Sequence, residues 1–354
     1  MNTAIINLFL DLVKIDSPTG EEANVLKYVN TFLKKLGINS HFDDFGNLYA
    51  KIDGFLNPIL LSAHADTVEP GRNIKPKIID GIIKSDGKTI LGADNKVGLA
   101  VILDTIRELI EKKIPHRNLE FVVTRSEESG NYGAINLNYS HISAKIGYIF
   151  DNSNPIGTII SASPFYYRFD MKFIGKAAHA SSPQKAINVL PAFSDFINSI
   201  KLGRINEQLI ANIGVINSGH VRNSIPGELY IEGEVRGFKN DEVQEFLNIL
   251  ILNAKKSAYK YGCKIKYETV CENSGYMYYR NDQFIKETIV KMSLIKRQFR
   301  LKKSLGCSDA NIFQEHGIKV LDLGDGSKNS HTVNESIEIK NLLNLKSLLI
   351  SLVT

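Results

Sequence analysis

Cysteine is scarce in this chain. The three present, Cys263, Cys271 and Cys307, stand far apart with no C-x-x-C spacing, which argues against a disulfide framework and fits a reduced, cytoplasmic setting. No apolar run reaches the length of a membrane span. The opening stretch TAIINLFLDLV lacks a basic flank and a small-x-small cleavage site, and Asp11 interrupts it. Ile5, Phe9, Leu12 and Val13 recur there at helical spacing instead. The net charge of +5 is mild, and the Lys and Arg residues are scattered with no interleaved aromatic tract. Neither nucleic acid nor a membrane surface is therefore expected as a partner. No G-x-G-x-x-G, Walker loop or G-x-S-x-G occurs, so dinucleotide, nucleotide and α/β-hydrolase chemistry lose support. Internal repeats and low-complexity tracts are missing too.

What is present fits a soluble chain of two domains, since 354 residues is long for one core. Residues 1–163 alternate helix-like and strand-like segments. SPTGEE reads as a helix start, with Pro18 and two early acids ahead of VLKYVNTFLKKLG, and Gly37 as its C-terminal cap. NLYAKI, PILLSAHAD, LEFVV and KIGYIFD read as strands, and VGLAVILDTIRELIEKK as an amphipathic helix. That alternation predicts an α/β, doubly wound, mostly parallel sheet with its sites at the strand C-termini. From residue 164 the texture changes. FYYRFDMKFIG, a helix, two strands, the long helix DEVQEFLNILILNAKKSAYKYG and KIKYETV give the order β-α-β-β-α-β, a ferredoxin-like α+β insert over 164–275. Residues 276–354 return to the first texture and complete a discontinuous domain.

Strand ends and turns hold the informative residues. TRSEESG places Glu127 and Glu128 side by side where an apolar strand stops, an expensive arrangement for two unpaired carboxylates. SAHAD (His64, Asp66), LGADNK (Asp94), YIFDN (Asp151) and KNSHTVNE (His331) carry further isolated polar groups in apolar surroundings. Each has an ordinary reading: a polar strand terminus, an Asx turn at Asp94, acids at a helix N-terminus, a cap at His331. Their joint occurrence at separate strand ends predicts one crevice holding imidazoles and carboxylates. Such mixed N/O donors suit zinc, with manganese or cobalt as substitutes, and two cations sharing a carboxylate would neutralise the acids. His41, His116, His141, His220 and His316 lack that context and read as surface or structural.

SAHADTVEPG, SDGKTILGADNKVGLA, TRSEESGNYGA, FDNSNPIGTI, GKAAHAS, RNSIPGE and SHTVNE occur in the order seen in the zinc peptidases that include peptidase T, aminoacylase and the carboxypeptidase G enzymes. The chain resembles that family over essentially its whole length and the peptidase T branch most. The resemblance implies a two-zinc catalytic domain (1–163 and 276–354) interrupted by a lid and dimerisation domain (164–275). It implies that Asp94 bridges the metals, that His64 and Asp151 complete one site, and that Glu128 and His331 complete the other. Asp66 then fixes the tautomer of His64, and Glu127 is the general base. It further implies a homodimer in which His179 supplies an oxyanion donor across the interface, with Asn223 and Arg236 on the substrate. Asn95 follows the bridging aspartate where close relatives commonly carry a second aspartate. Cys307 interrupts a loop where relatives often carry paired glycines, so substrate fit is expected to differ.

The expected reaction is amide hydrolysis in short peptides, tripeptides foremost. Arg236 offers a planar fork to a substrate carboxylate, and acids around the metals suit a nearby ammonium. An N-acyl-amino-acid amidohydrolase or small carboxypeptidase would use the same scaffold, with an apolar cap in place of the ammonium. A binding module that has lost catalysis is disfavoured because every metal position and Glu127 are filled.

Overall fold

The computed structural model describes residues 3–354. Packing divides the chain into two units, one of Met1–Ser161, Tyr278–Lys303 and Ser308–Thr354, the other of Ala162–Met277 with Ser304–Cys307. The short piece Ser304–Cys307 joins the second unit although sequence texture placed it with the C-terminal stretch. It is drawn there by hydrogen bonds: Ser304 N–H to the Ala162 carbonyl at 2.9 Å, and Ser163 Oγ to the Gly306 carbonyl at 3.0 Å.

In the first unit the apolar runs form a mixed sheet. Its order is Ser40–Phe42, Leu48–Ile52, Arg117–Thr124, Phe55–His64, Ile146–Asn152, Lys319–Gly324, Thr158–Ser163. The four central strands are parallel: Leu61 lies beside Phe121 and Tyr148, and Leu321 beside Tyr148. The flanking strands are antiparallel, with Tyr49 opposite Val122 and Leu323 opposite Ile159. Strands Phe55–His64 and Arg117–Thr124 are buried over their C-terminal halves. Polar residues at those ends therefore enter a desolvated setting.

Helix Ala93–Glu111 differs from the amphipathic helix expected. It begins before Val97 and is buried on nearly every side through Ile106. It is wedged between the strands Phe55–His64 and Ile146–Asn152 and the helices Thr3–Val13 and Ile339–Val353, so no solvated face remains before its last turn. Asp104 within it is fully buried and is paired with Lys346 at 2.5 Å and with Arg107. Gly98 is required there, because a Cβ would collide with the Asn95 side chain and crowd the Phe150 carbonyl. Asp94 and Asn95 depart from helical geometry (φ −83°, ψ 109° and φ −112°, ψ 34°), and the peptide between them is cis.

The second unit carries a five-stranded antiparallel sheet. Strands Leu209–Ser218, Glu228–Gly237, Phe165–Ile174 and Lys264–Asn273 lie in that order, with Gly203–Arg204 added at the edge. Strand Phe165–Ile174 alternates buried and half-buried residues. Its inward face and helices Val189–Ser199 and Asn240–Lys260 bury Phe169, Met171, Phe173, Phe196 and Leu250. Among the described residues no helix is long and apolar enough to cross a membrane.

Glu22, one of the two early acids in SPTGEE, stands at the N-cap of helix Ala23–Lys35. It is fully buried and accepts from Ser126 N–H at 3.1 Å, Ser126 Oγ at 3.0 Å and Arg125 Nη2 at 2.8 Å, which ties the first helical loop to the end of strand Arg117–Thr124. Removing one member of a buried ion pair costs about 3–5 kcal/mol, and partial exposure of Arg125 puts this case near the lower figure. Glu22→Ala is accordingly expected to lower the stability read from denaturant unfolding by about 3 kcal/mol, with Glu22→Gln in between. A midpoint equal to wild type would show that the pair contributes nothing.

Candidate metal centre

The C-terminal ends of three central strands, and the turns that follow them, bring the polar residues together. His64 closes strand Phe55–His64, Glu127 and Glu128 follow Thr124, and Asp151 lies near the end of Ile146–Asn152. Asp94 arrives from the irregular start of helix Ala93–Glu111, and His331 from a loop in which its φ is 64°. Two groups of donors result, His64–Asp94–Asp151 and Asp94–Glu128–His331, each with its ligand atoms within 4.8 Å of one another. Asp94 belongs to both. A third group, His64–Glu127–Glu128, satisfies the same distance.

The imidazoles aim their Nε2 atoms inward. His64 Nε2 lies 3.1 Å from Asp94 Oδ1 and 3.3 Å from Asp151 Oδ1. Its Nδ1 sits 3.0 Å from the Asp66 carbonyl and 3.3 Å from Asp66 Oδ1, so the proton belongs on Nδ1 and the Nε2 lone pair faces the carboxylates. His331 Nε2 lies 3.2 Å from Asp94 Oδ2 and 3.0 Å from Glu128 Oε1. Asp66 accepts the N–H groups of Glu127 and Glu128 at 3.0 and 3.1 Å, and Thr19 Oγ1 at 2.8 Å.

These charges perturb one another. Burial raises Asp151 to about 6, with Asp94 and Glu128 adding to the rise and His64 opposing it. Burial also lifts Glu127 well above the usual carboxylate range, reinforced by Asp151 and Asp309. Burial opposes the imidazolium of His64, but Asp151, Asp66 and Asp94 outweigh it and hold the ring well above its ordinary value. Hydrogen bonds to Asp94 and Glu128 raise His331 to about 10.

The donor set fits divalent cations. Lone pairs of His64 Nε2, His331 Nε2, Asp94, Asp151 and Glu128 converge in one space, with Glu128 Oε1 buried against His331 Nε2. Without protons on the rings, that convergence is repulsive. Cations between the atoms make it attractive, and carboxylate with imidazole is a borderline-hard set of the kind zinc accepts.

Three expected residues lie in the second unit. His179 pairs with Ser224 across a two-residue ladder, is exposed, and shares a hydrogen bond between Nδ1 and Ser181 Oγ at 2.7 Å. Asn223 is next to that ladder, its carbonyl accepting Ala180 N–H at 2.9 Å. The two therefore sit at one small ladder between segments far apart in sequence. Arg236 has partners of its own: Glu234 at 2.9 Å, the Leu305 carbonyl at 3.2 Å, and the ring of Tyr166 at 4.2 Å.

Sequence reasoning missed several supports. Glu335 accepts N–H groups of Leu91 (2.7 Å), Gly92 (2.6 Å) and Asp94 (3.1 Å). Asp322 accepts Asp151 N–H at 3.0 Å, and Asn95 Nδ2 donates to Asp151 Oδ1 at 2.6 Å. Asn131 reaches Glu127. The available signal was an acid or amide inside an apolar stretch, as in KVLDLG for Asp322.

The model of peptidase family M20/M25/M40 matches residues 60–354. An uncharacterized Bacillus subtilis protein, YqjE, is 33% identical over 99% of this chain and 97% of its own length. The solved aminopeptidase PepT of Bacillus cereus has a TM-score of 0.92 and 33% identity, covering 99% of this chain and 97% of its own. A solved tripeptidase of Staphylococcus aureus has a TM-score of 0.95 and 31% identity over the same shares. Matched by the family's pattern from strand Phe55–His64 onward, this chain belongs to peptidase family M20/M25/M40.

Proposed function

We propose that this peptidase is a di-zinc aminopeptidase of the cytoplasm that acts on short peptides, tripeptides foremost. The observation that carries the reading is the sharing of Asp94 between two donor groups, with the carboxyl of Glu127 against them. PepT and tripeptidase relatives over almost the whole chain favour a peptide over an acylated amino acid.

His64 and Asp151 would hold one zinc, Glu128 and His331 the other, and Asp94 both; manganese or cobalt suits the same donors. When bound, the pair polarises a substrate carbonyl and lowers the pKa of a shared water. Asp66 keeps the proton on His64 Nδ1, leaving Nε2 as a donor atom. Glu127, raised by burial and by Asp151, accepts the proton of the attacking water and delivers it to the leaving amine. We assign the second unit the roles of lid and dimer contact. There His179 would donate to the oxyanion in the partner's site, and Asn223 and Arg236 would hold the substrate, Arg236 at its carboxylate. Light scattering that finds a fully active monomer would remove the donor in trans.

Metal removal tests the centre first. Near two equivalents of zinc and activity lost to a chelator but regained with zinc are expected; a metal-free protein with full activity would overturn the reading. Protons and zinc compete for His331. Its pKa is raised to about 10, so at neutral pH the free protein holds a proton that zinc must displace, and apparent affinity rises with pH. Calorimetric titration in buffers of different ionisation heat should therefore record proton release at pH 7.

The adjacent glutamates should separate cleanly. Glu127→Ala is expected to keep both metals and KM while kcat falls by about a hundred- to ten-thousand-fold. Glu128→Ala should lose metal instead. Equal metal loss in both variants would refute the division of roles.

Substrate is read from kcat/KM for a tripeptide, its N-acetylated form and its C-terminal amide. Acetylation should cost more than amidation. Amidation should matter in the wild type but little in Arg236→Ala, whose carboxylate partner is already gone. If the acetylated peptide is the better substrate, an N-acyl-amino-acid amidohydrolase replaces the aminopeptidase.

A further inference from the structure

Behind Glu127 lies a buried polar pair joined across the chain. Asn131 is 4% exposed and Asp309 3%. One nitrogen, Asn131 Nδ2, donates to Glu127 Oε1 at 3.0 Å and to Asp309 Oδ1 at 3.2 Å. The other oxygen of Asp309 accepts Thr124 Oγ1 at 2.6 Å. The main chain of Asn131, at φ 59° and ψ 26°, also returns to Glu127, its N–H bonding the Glu127 carbonyl at 2.8 Å. Asparagine tolerates that left-handed backbone better than other residues with a Cβ.

A carboxamide has two ends of nearly equal size, one a donor and one an acceptor. The left-handed backbone fixes where the side chain of Asn131 goes, but not which end faces Glu127. Asp309 settles that. Thr124 and Asn131 both donate to it, so its carboxyl stands as an acceptor, and turning Asn131 Oδ1 toward it would set oxygen against oxygen at two carboxylates at once. With both Nδ2 protons committed, Glu127 is held at one oxygen while the other stays free to exchange a proton.

We propose that Asp309 and Asn131 form a positioning pair that fixes the orientation of the Glu127 carboxylate, Asp309 acting through the amide of Asn131. The inference rests on the reading of Glu127 as the general base. It assigns no contact with substrate to either residue. It also explains why SDAN and SGNYG, far apart in sequence, each carry a buried polar group at this point.

The test is a double-mutant cycle in the full-length, zinc-loaded protein, with Glu127→Ala alongside. Asp309→Asn lets the facing amide turn over, and Asn131→Gly removes it while keeping the positive φ comfortable. Each is expected to lower kcat by about 10- to 100-fold, the range found when an outer partner of a catalytic-site group is lost, with KM, zinc content and melting temperature close to wild type. The double variant should be no worse than the worse single one. Losses that multiply in the double variant, or that track zinc content or melting, would overturn the proposal. Should Asp309→Asn fail to fold, Asn131→Gly decides alone: an unchanged kcat overturns the pair. If Glu127→Ala cripples turnover while Asp309→Asn and Asn131→Gly do not, only this inference falls. If Glu127→Ala is itself fully active, the general-base reading falls with it.

Discussion

Four donors converge on the carboxyl of Asp66, and the geometry of the metal centre depends on them. Thr19 Oγ1, the N–H groups of Glu127 and Glu128, and His64 Nδ1 all reach a side chain that is fully buried. Burial alone would push the carboxyl up, but His64 leads the donors that hold it at about 2, so it stays ionised at any working pH. Charge-assisted hydrogen bonds of this kind are roughly twice as strong as neutral ones. One anion therefore locks the imidazole's tautomer and also pins the backbone of both glutamates. Their N–H groups are held on separate oxygens of Asp66, and a carboxylate oxygen of each still comes within 4.8 Å of the other and of His64.

The same device recurs around the other donors. Glu335 clamps the N–H of Asp94, Asp322 that of Asp151, and Glu22 that of Ser126 just before the glutamates. The segments that carry Asp94, Asp151 and Glu128 are thus each positioned by a second, buried acid bonded to the main chain. A backbone hydrogen bond fixes where a ligand starts, and the side chain adds only a few rotatable bonds. Carboxylates suit the task because one group accepts several N–H bonds, and an N–H left unpaired here would carry the full cost of its desolvation.

How far this was legible in sequence follows from the range of each interaction. Strand ends were readable because an apolar run broken by an acid or histidine is a local pattern, and His64, Asp94, Glu128, Asp151 and His331 do meet in one place. The order of elements in the second unit was readable for the same reason, through the alternation along Phe165–Ile174. The clamps were not. Glu335 acts on Leu91 across 244 positions and Asp309 on Asn131 across 178, and in isolation each looks like an ordinary polar residue beside a helix or turn. Glu22 was readable as an acid but not as a buried one, because its burial is decided by Arg125 arriving from another strand. Helix Ala93–Glu111 showed a periodic pattern, yet its surroundings buried the polar face as well, down to Asp104.

Charge sets the final constraint on this site. Asp66, Asp94, Glu127, Glu128 and Asp151 crowd one strand-end crevice, while Lys96 stands beneath them, fully buried, on Ser17 Oγ at 2.8 Å and the Ala65 carbonyl. Burial draws that ammonium down to about 8 even as Asp66 and Glu22 support it, so it remains a cation at neutral pH, but it is one charge against several. The remaining balance must come from protons or metal ions. Protons on His64 and His331 supply part of it, and those are the nitrogens whose lone pairs a metal needs. The fold thus presents the same atoms to both. Metal loading would exchange those protons for doubly charged ions and ease the repulsion that adds to burial in lifting Asp151 and Glu127. Of these two, Asp151 faces the imidazole of His64, whereas Glu127 is held by the amide of Asn131, as the proposed role of general base requires.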